Sequence, residues 1–533
     1  MIQNPWIKFY PEGLQNLNYP AKPLFSLIDD NLSKYENKVI ISYYGRAFTY
    51  FELFEYTNRF ASSLIKKGYK KGDKLALFLP NTPQFIIAFF GALKAGLTLV
   101  PCNILYSSRE LSYQLKDSSS KILLGLKDKI GERDFSKIML DASKDINIEI
   151  LFTGIQDFLE EPKGKAKNHS DFLEVIEDSP KEKPEVDINS RDLATILYTS
   201  GTTGKSKGVM LSHYNLLSNA ITFAKWIKLS QEDVILGALP FFHSYGLTTS
   251  LNAALYSGSK VILMHKFNPL EAVELIEKQK VTVFCSVPTM LKAIVDTKAS
   301  KTSLDSLRLC VSGASPLTRD IYDEFSRITK AVIVEGYGLS EASPVTHCNP
   351  INRTKFGSIG IPLPNTLAKV VSLEDFRDLG PNQIGELIVK GPQVMKGYYN
   401  LEEETKLALR DSWLFTGDLV KMDEEGYFYL IDRKKYMINV SGYKVYPKEV
   451  EDIIKEHKAI KEVAVVGVKH SYKGEAVKAY IVLREGYSLS RDEILNYCED
   501  KLAKYKIPEE IEFVKDLPKS PIGKVMKEAL IKR

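Results

Sequence analysis

From about residue 190 the chain alternates short apolar runs with amphipathic stretches, which predicts strands joined by crossover helices. Leu193–Tyr198 reads as a strand, and Ser212 as the cap of a helix through Trp226. Val234–Leu239 and Val261–Met264 are again strand-like. Asn268-Pro269-Leu270-Glu271 is a helix start, with cap, N1 proline and acidic N3 residue in order. Val281–Val287, Leu307–Val311 and Ala331–Val334 continue the strands, with Thr318–Ile328 helical between the last two. This alternation predicts an α/β fold with a largely parallel sheet. Similar alternation precedes it: a strand at Lys74–Leu79, a helix at Pro83–Ala95 and a strand at Thr98–Pro101. The polar stretch Glu160–Ser190 reads as loop.

After Asp432 the pattern changes to a small α+β unit. Lys448–His457 is predicted helical, and Val463–Val468 and Ala476–Leu483 as strands. Ser490-Arg491-Asp492-Glu493 is a capping box opening a helix to about Tyr505, and Ile511–Val514 is a last strand. The expected division is therefore 1–432 and 433–533.

Composition changes this picture little. The chain has 533 residues, 44% hydrophobic and 26% charged, enough for a large core and more than one folding unit. The most apolar stretch, Phe85 to Pro101, is interrupted by Lys94, Gly91 and Gly96, and predicts a buried helix entering a strand rather than a bilayer span. No basic segment followed by an apolar one opens the chain, so no secretory signal is read. The five cysteines contain no C-x-x-C, which points to reduced thiols and a cytoplasmic location. Net charge is +5, and residues 433–533 carry 22 Lys and Arg against 16 Asp and Glu. That surplus reads as a lysine-rich solvated face, or as a surface meeting a polyphosphate or an anionic membrane. No basic run is dense enough to imply nucleic acid.

Chemistry concentrates in Tyr198-Thr199-Ser200-Gly201-Thr202-Thr203-Gly204-Lys205-Ser206-Lys207-Gly208, directly after a predicted strand. Glycines let the backbone approach a ligand, successive N–H groups form an anion-binding concavity, hydroxyls add donors and lysine adds charge. Gly204-Lys205-Ser206 imitates the end of a Walker A motif, but Thr199 stands where that motif needs glycine.

With this loop in view, the chain resembles the adenylate-forming superfamily of acyl-CoA ligases, luciferases and peptide-synthetase adenylation domains, from about residue 20 to the C-terminus. The resemblance implies a large multi-subdomain N-terminal domain and a small mobile α+β C-terminal domain. It implies that Thr199 to Gly204 and Lys207 hold ATP phosphates. Ser312-Gly313-Ala314-Ser315-Pro316-Leu317 is similar to the segment packing on adenine. In Glu335-Gly336-Tyr337-Gly338-Leu339-Ser340-Glu341 it implies an aromatic against adenine and a terminal glutamate that binds Mg²⁺. A carboxylate beside a polyphosphate suits a hard cation that neutralises departing pyrophosphate. Asp418, in Trp413-Leu414-Phe415-Thr416-Gly417-Asp418-Leu419, resembles the aspartate accepting from both ribose hydroxyls, and Arg433 the arginine that also contacts ribose. Asp432 matches the hinge. Lys524, in Leu517-Pro518-Lys519-Ser520-Pro521-Ile522-Gly523-Lys524, matches the lysine that stabilises charge on the carboxylate and α-phosphate. His243, in Pro240-Phe241-Phe242-His243-Ser244-Tyr245-Gly246-Leu247, falls in the segment lining the acid pocket, and reads equally as a packed core histidine. Gly442 resembles the glycine that lets pantetheine pass.

Two positions depart from the pattern. Ser206 stands where most relatives have proline, and Asn439 where many have lysine. Gly385-Glu386-Leu387-Ile388-Val389-Lys390-Gly391-Pro392-Gln393-Val394-Met395-Lys396-Gly397-Tyr398-Tyr399 and Asp432-Arg433-Lys434-Lys435 lean toward the long-chain fatty acyl-CoA ligases of bacteria and archaea. The resemblance thus implies a ligase that consumes a fatty acid, ATP and CoA with Mg²⁺, with room for peripheral membrane contact and for a homodimer. The competing readings are a ligase for aromatic or medium-chain acids, transfer to an acyl-carrier protein, and a non-catalytic nucleotide-binding relative.

Overall fold

The computed structural model describes residues 4–159, 171–199, 206–298, 302–441, 443–470, 472–499, 501–519 and 525–531. The chain groups into two compact units. The larger is built from Trp6–Leu367 and Val389–Leu414, the smaller from Met1–Pro5, Ala368–Ile388 and Phe415–Arg533.

Two sheets form the larger unit. One runs Ile361–Pro362, Val345–Cys348, Val332–Gly338, Leu309–Ser312, Val283–Ser286, Val234–Gly237, Lys260–Leu263, Val39–Tyr43 and Arg46–Thr49 from edge to edge. Its six central pairing partners, from Val332–Gly338 to Val39–Tyr43, are parallel, and both ends close with antiparallel strands. The other runs Gly397–Tyr398, Lys207–Ser212, Leu193–Thr199, Thr98–Pro101, Lys74–Phe78, Ile122–Leu126 and Glu149–Thr153. Its central strands are parallel too. The predicted parallel sheet is present but divided in two, because helices cover each set and bury both faces. Strands such as Val283–Ser286, Leu309–Ser312 and Ile122–Leu126 are buried along their whole length, which is why they read as unbroken apolar runs.

The caps read from sequence are formed. Ser212 accepts from the Asn215 N–H, and Asn215 returns the bond, opening the helix His213–Trp226. Asn268 accepts from the N–H groups of Leu270 and Glu271 at the start of Pro269–Gln279. The apolar stretch becomes the wholly buried helix Pro83–Lys94 followed by Thr98–Pro101. Its Lys94 is buried against Asp29 at 2.8 Å and Asn58 at 2.7 Å, and burial pushes its ammonium down to about 8.

Two expectations need correction. The stretch read as loop contains the helix Asp171–Glu177, since Phe172, Leu173 and Ile176 share one face and Phe172 packs edge-on to Phe60 at 5.0 Å. The helix after Ser490 is Arg491–Glu499, and Lys504–Lys506 is a separate 3₁₀ turn. The chain leaves the helix there so that Leu502, Tyr505 and Ile507 can lie on the core of the smaller unit.

In the smaller unit one sheet contains Leu367–Val371, Gly385–Lys390 and Trp413–Met422, with Phe428–Arg433 on the last of these. A second runs Tyr443–Val445, Ile438–Val440, Gly474–Leu483 and Ile460–His470, with Glu510–Phe513 parallel to Gly474–Leu483. Helices Pro447–Lys455 and Arg491–Glu499 complete this α+β layer around Val450, Ile454, Val465, Ile481 and Ile494. All five cysteines are free and buried. Among the described residues no helix is long and apolar enough to cross a membrane.

Candidate active site

In the larger unit the hydroxyl- and glycine-rich segment falls in sequence between two antiparallel neighbours, Leu193–Thr199 and Lys207–Ser212. Their register sets Thr199 opposite Lys207 and Tyr198 opposite Gly208. Ser200, Gly201, Thr202, Thr203 and Gly204 lie outside the described residues. A Cβ on Gly208 would stand 2.7 Å from Ile196 Cγ2, so glycine is required at this point of the strand.

Lys207 is ion-paired to Glu404, and its ammonium lies 5.2 Å over the Tyr398 ring. The Tyr398 hydroxyl donates to Glu341 Oε1 at 2.8 Å. Burial, then the Glu341 charge, pushes the Tyr398 phenol well above its ordinary value, so it stays a donor. Tyr398 is placed by the short strand Gly397–Tyr398 on the edge of Lys207–Ser212, and Met395 N–H holds the Glu341 carbonyl at 2.8 Å. A lysine and a carboxylate far apart in sequence are thus gathered on one phenol. Mg²⁺ commonly binds through one or two carboxylates and the substrate's phosphates, so a single Glu341 carboxylate beside a cationic anchor fits that ion. Among the described residues no cluster of three or more His, Cys, Asp or Glu could hold a metal by itself.

Of the segments expected around adenine, the one beginning at Ser312 leaves the carboxyl end of Leu309–Ser312, while Glu335 to Gly338 form the carboxyl end of the adjacent parallel strand Val332–Gly338, where Ser312 pairs with Glu335. Gly313 N–H donates to the Ser286 carbonyl at 3.1 Å, and a Cβ there would meet the Tyr245 ring at 3.0 Å. Tyr245 is fixed by donating to the Val311 carbonyl at 3.0 Å. Ala314 turns with φ +65°, and Ser315 is partly buried beside it. Gly336 lies between Glu335 and Tyr337, whose ring meets His347 edge-on at 5.9 Å. Ser340 Oγ lies 3.2 Å from Ser244 Oγ, so the segment carrying His243 adjoins the one carrying Glu341. His243 Nδ1 accepts from Tyr245 N–H at 3.2 Å, and burial lowers the imidazole to about 4. It is neutral near physiological pH and offers hydrogen bonding rather than charge.

The Glu335 carboxylate accepts from Gly357 N–H at 2.7 Å, and burial raises it to about 7 against an ordinary 4.5. A raised folded-state value means the folded chain holds a proton that the unfolded chain has lost. Stability from this group is complete below about pH 4.5 and fades as pH rises through about 7. We expect Glu335→Gln to remove that fade, raising stability at pH 8 relative to the wild type by ~2 kcal/mol. Thermal melts of both proteins at pH 5.5 and pH 8 check this, and an unchanged pH dependence would refute it.

The smaller unit carries the remaining expected residues. Asp418 and Arg433 are cross-strand partners, with Arg433 Nε 3.2 Å from Asp418 Oδ1. Asp418 is almost fully buried at 6% exposure, while Arg433 is 42% exposed. Asp432 Oδ1 accepts from Arg433 N–H at 2.7 Å, and Oδ2 from Lys448 N–H at 2.8 Å in the first turn of Pro447–Lys455. Gly442 and Lys524 lie outside the described residues.

Several neighbours escaped the sequence reading. Tyr398 and Glu386 sat inside a run read only as a group signature. Glu404 is one of three consecutive glutamates with nothing to single it out, and Tyr245 stood among other aromatics.

The AMP-binding enzyme family matches residues 28–399, and the AMP-binding enzyme C-terminal domain matches residues 449–524. A Long-chain-fatty-acid–CoA ligase from Bacillus subtilis is 40% identical over 99% of this chain and 98% of its own. A Probable 4-coumarate–CoA ligase 1 from Dictyostelium discoideum is 34% identical over 98% of this chain and 97% of its own. Among solved structures, ATP-bound MatB from Rhodopseudomonas palustris superposes with a TM-score of 0.87 at 32% identity, covering 96% of this chain and 99% of that one. Family matches in both parts of the chain and full-length relatives agree with the strand-end segments and the gathered lysine and carboxylate: the chain belongs to the AMP-binding enzyme family.

Proposed function

We propose that this protein is an ATP-dependent acid–CoA ligase acting on long-chain fatty acids. The observation that carries the reading is the line Glu341–Tyr398–Lys207, which sets a hard-cation carboxylate and a phosphate-binding ammonium on one phenol. In the first half-reaction the acid's carboxylate oxygen bonds to the α-phosphorus of ATP while the bond to pyrophosphate breaks. In the second, the CoA thiol attacks the acyl carbon, loses its proton, and expels AMP.

Lys207 takes the outer phosphates once they displace Glu404 from its ammonium. Glu341 would hold Mg²⁺, which supplies neutralisation of charge on the departing pyrophosphate. The Gly313–Ser315 and Gly336–Tyr337 segments take adenine, and Asp418 with Arg433 takes ribose. Lys524 would stabilise charge between the carboxylate and the α-phosphate. His243 lies toward the acid, and Gly442 passes pantetheine. Asp432 would serve as the pivot about which 433–533 turns between half-reactions, exchanging its bonds to Arg433 and Lys448 as it does so.

The 40% identical relative supports a long-chain acid. The 34% identical relative, named for 4-coumarate, supports an aromatic acid as the second reading. Purified protein with Mg-ATP and acids from acetate through laurate and palmitate to oleate, plus a cinnamate, separates them when pyrophosphate and acyl-CoA are followed independently. We expect acyl-CoA to form best from the long-chain acids. Cinnamoyl-CoA as the main product would move the substrate class. Pyrophosphate without acyl-CoA would move the acceptor to a carrier protein, and no pyrophosphate with any acid would overturn the reading.

A further inference from the structure

One buried carboxylate in the smaller unit is absorbed by none of these roles. Glu386 is almost fully buried, yet its two carboxyl oxygens reach two separate chain segments. Its Oε1 accepts from Gly417 N–H at 3.1 Å, and its Oε2 from Lys434 Nζ at 2.8 Å. The next residue joins in: the Leu387 carbonyl accepts from Thr416 Oγ1 at 2.8 Å, and that same hydroxyl accepts from Asp418 N–H at 3.1 Å.

The place it grips is a bend. Gly417 adopts φ +71°, a conformation open to glycine, and the pairing of Trp413–Met422 with Phe428–Arg433 shifts register just beyond, between Leu419 and Val420. The bend and the register shift flank Asp418 and Leu419, and together they set where the Asp418 side chain is aimed. They also take Gly417 N–H out of the regular ladder, and Glu386 receives it. Lys434 follows Arg433 directly, so the same carboxylate fixes the end of the opposing strand. Two acids and two bases then alternate, Asp418 with Arg433 and Glu386 with Lys434. Without Lys434, the buried Glu386 charge would sit close to Asp418 with no cation of its own.

We propose that Glu386 is the positioning residue of the nucleotide's ribose site: it sets the aim of Asp418 by holding Gly417, and that of Arg433 by holding Lys434. This rests on the reading of Asp418 as the acceptor of the ribose hydroxyls. Glu386 itself touches no substrate in this role, and Lys434 completes the clamp by balancing its charge.

The distinguishing quantity is discrimination between ATP and 2′-deoxy-ATP, which a general loss of packing does not move. The full-length wild type and the variants Glu386→Gln and Lys434→Met are compared in ATP–pyrophosphate exchange with both nucleotides, and in calorimetric binding of AMP and 2′-deoxy-AMP. The wild type is expected to prefer the ribonucleotide by ~10-fold or more, as a hydrogen bond to a charged group implies. In Glu386→Gln the KM for ATP is expected to rise ~10-fold while kcat stays within ~2-fold, and the ribose preference to fall toward unity. Lys434→Met is expected to shift KM and preference the same way by ~3-fold, and thermal melts of both variants, run beside the kinetics, confine the comparison to folded protein. Full ribose preference retained in both variants overturns the proposal, as does a fall in kcat at constant KM. A wild type indifferent to the 2′-hydroxyl refutes the ribose reading of Asp418 first, and the positioning role with it.

Discussion

Gly338→Ala is expected to lower the kcat/KM of ATP–pyrophosphate exchange by ~10²-fold or more, the scale of a 1 Å misplacement in an active site. The cause is steric and lies in backbone. A Cβ at Gly338 would stand 2.1 Å from the Pro344 carbonyl oxygen and 2.6 Å from its carbon. Neither atom can swing away as a side-chain terminus could. Gly338 pairs with Val345, whose N–H and carbonyl are both held by the Asn219 side chain at 3.0 and 2.8 Å in a buried setting. The strand Val332–Gly338 must therefore move instead, carrying Tyr337 and the turn Ser340–Ala342 with Glu341. Overpacking of this kind also costs about 1–3 kcal/mol of stability, so the melting temperature falls. Gly336→Ala is the control, because its nearest contact would be an ordinary 3.4 Å to the His347 carbonyl. That variant is expected to stay within a few-fold of the wild type. Equal activity in the two variants would show that close approach at Gly338 does not position the site.

The contrast between those glycines marks what a sequence can disclose. Both stand in one motif, and only the three-dimensional return of Val345–Cys348 tells them apart. Local features were legible where local chemistry decides them. Asn268 and Ser212 cap their helices because a side-chain acceptor beside a free N–H needs no distant partner. Val283–Ser286 and Leu309–Ser312 read as strands because burial on both faces leaves no polar alternation. The division into two sheets was not legible, since pairing order depends on contacts across the chain. For the same reason Ala368–Ile388 groups with Phe415–Arg533, although more than twenty residues of the larger unit intervene in sequence. The site shows the same split. Glu341, Asp418 and Arg433 stood out through their motifs, while Tyr398, Glu404 and Glu386 act only through partners 57, 197 and 31 residues away.

On the proposed ribose role, Asp418→Ala is expected to lower kcat/KM for ATP by ~10²–10³-fold, because it would remove the acceptor of two hydroxyls and hydrogen bonds to a carboxylate contribute about 1.5–3 kcal/mol each. The loss should appear mainly as weaker nucleotide binding, with AMP affinity falling in parallel. Stability should change much less. The partner left behind, Arg433, is 42% exposed and can be solvated, so the substitution strands no charge in the interior. Function and stability thus separate at this residue, whereas Gly338→Ala damages both. Asp418→Asn refines the comparison. Its amide keeps one acceptor oxygen but turns donors either toward the ribose, where a hydroxyl must rotate to accept instead of donate, or toward Arg433, where donors face donors and repel. It should therefore fall between the wild type and Asp418→Ala for ATP, and should prefer 2′-deoxy-ATP relative to the wild type. Exchange kinetics with both nucleotides, set beside thermal melts, read these effects independently. A large drop in melting temperature with unchanged nucleotide affinity would make Asp418 a structural partner of Arg433, and would place the ribose acceptor elsewhere in the chain.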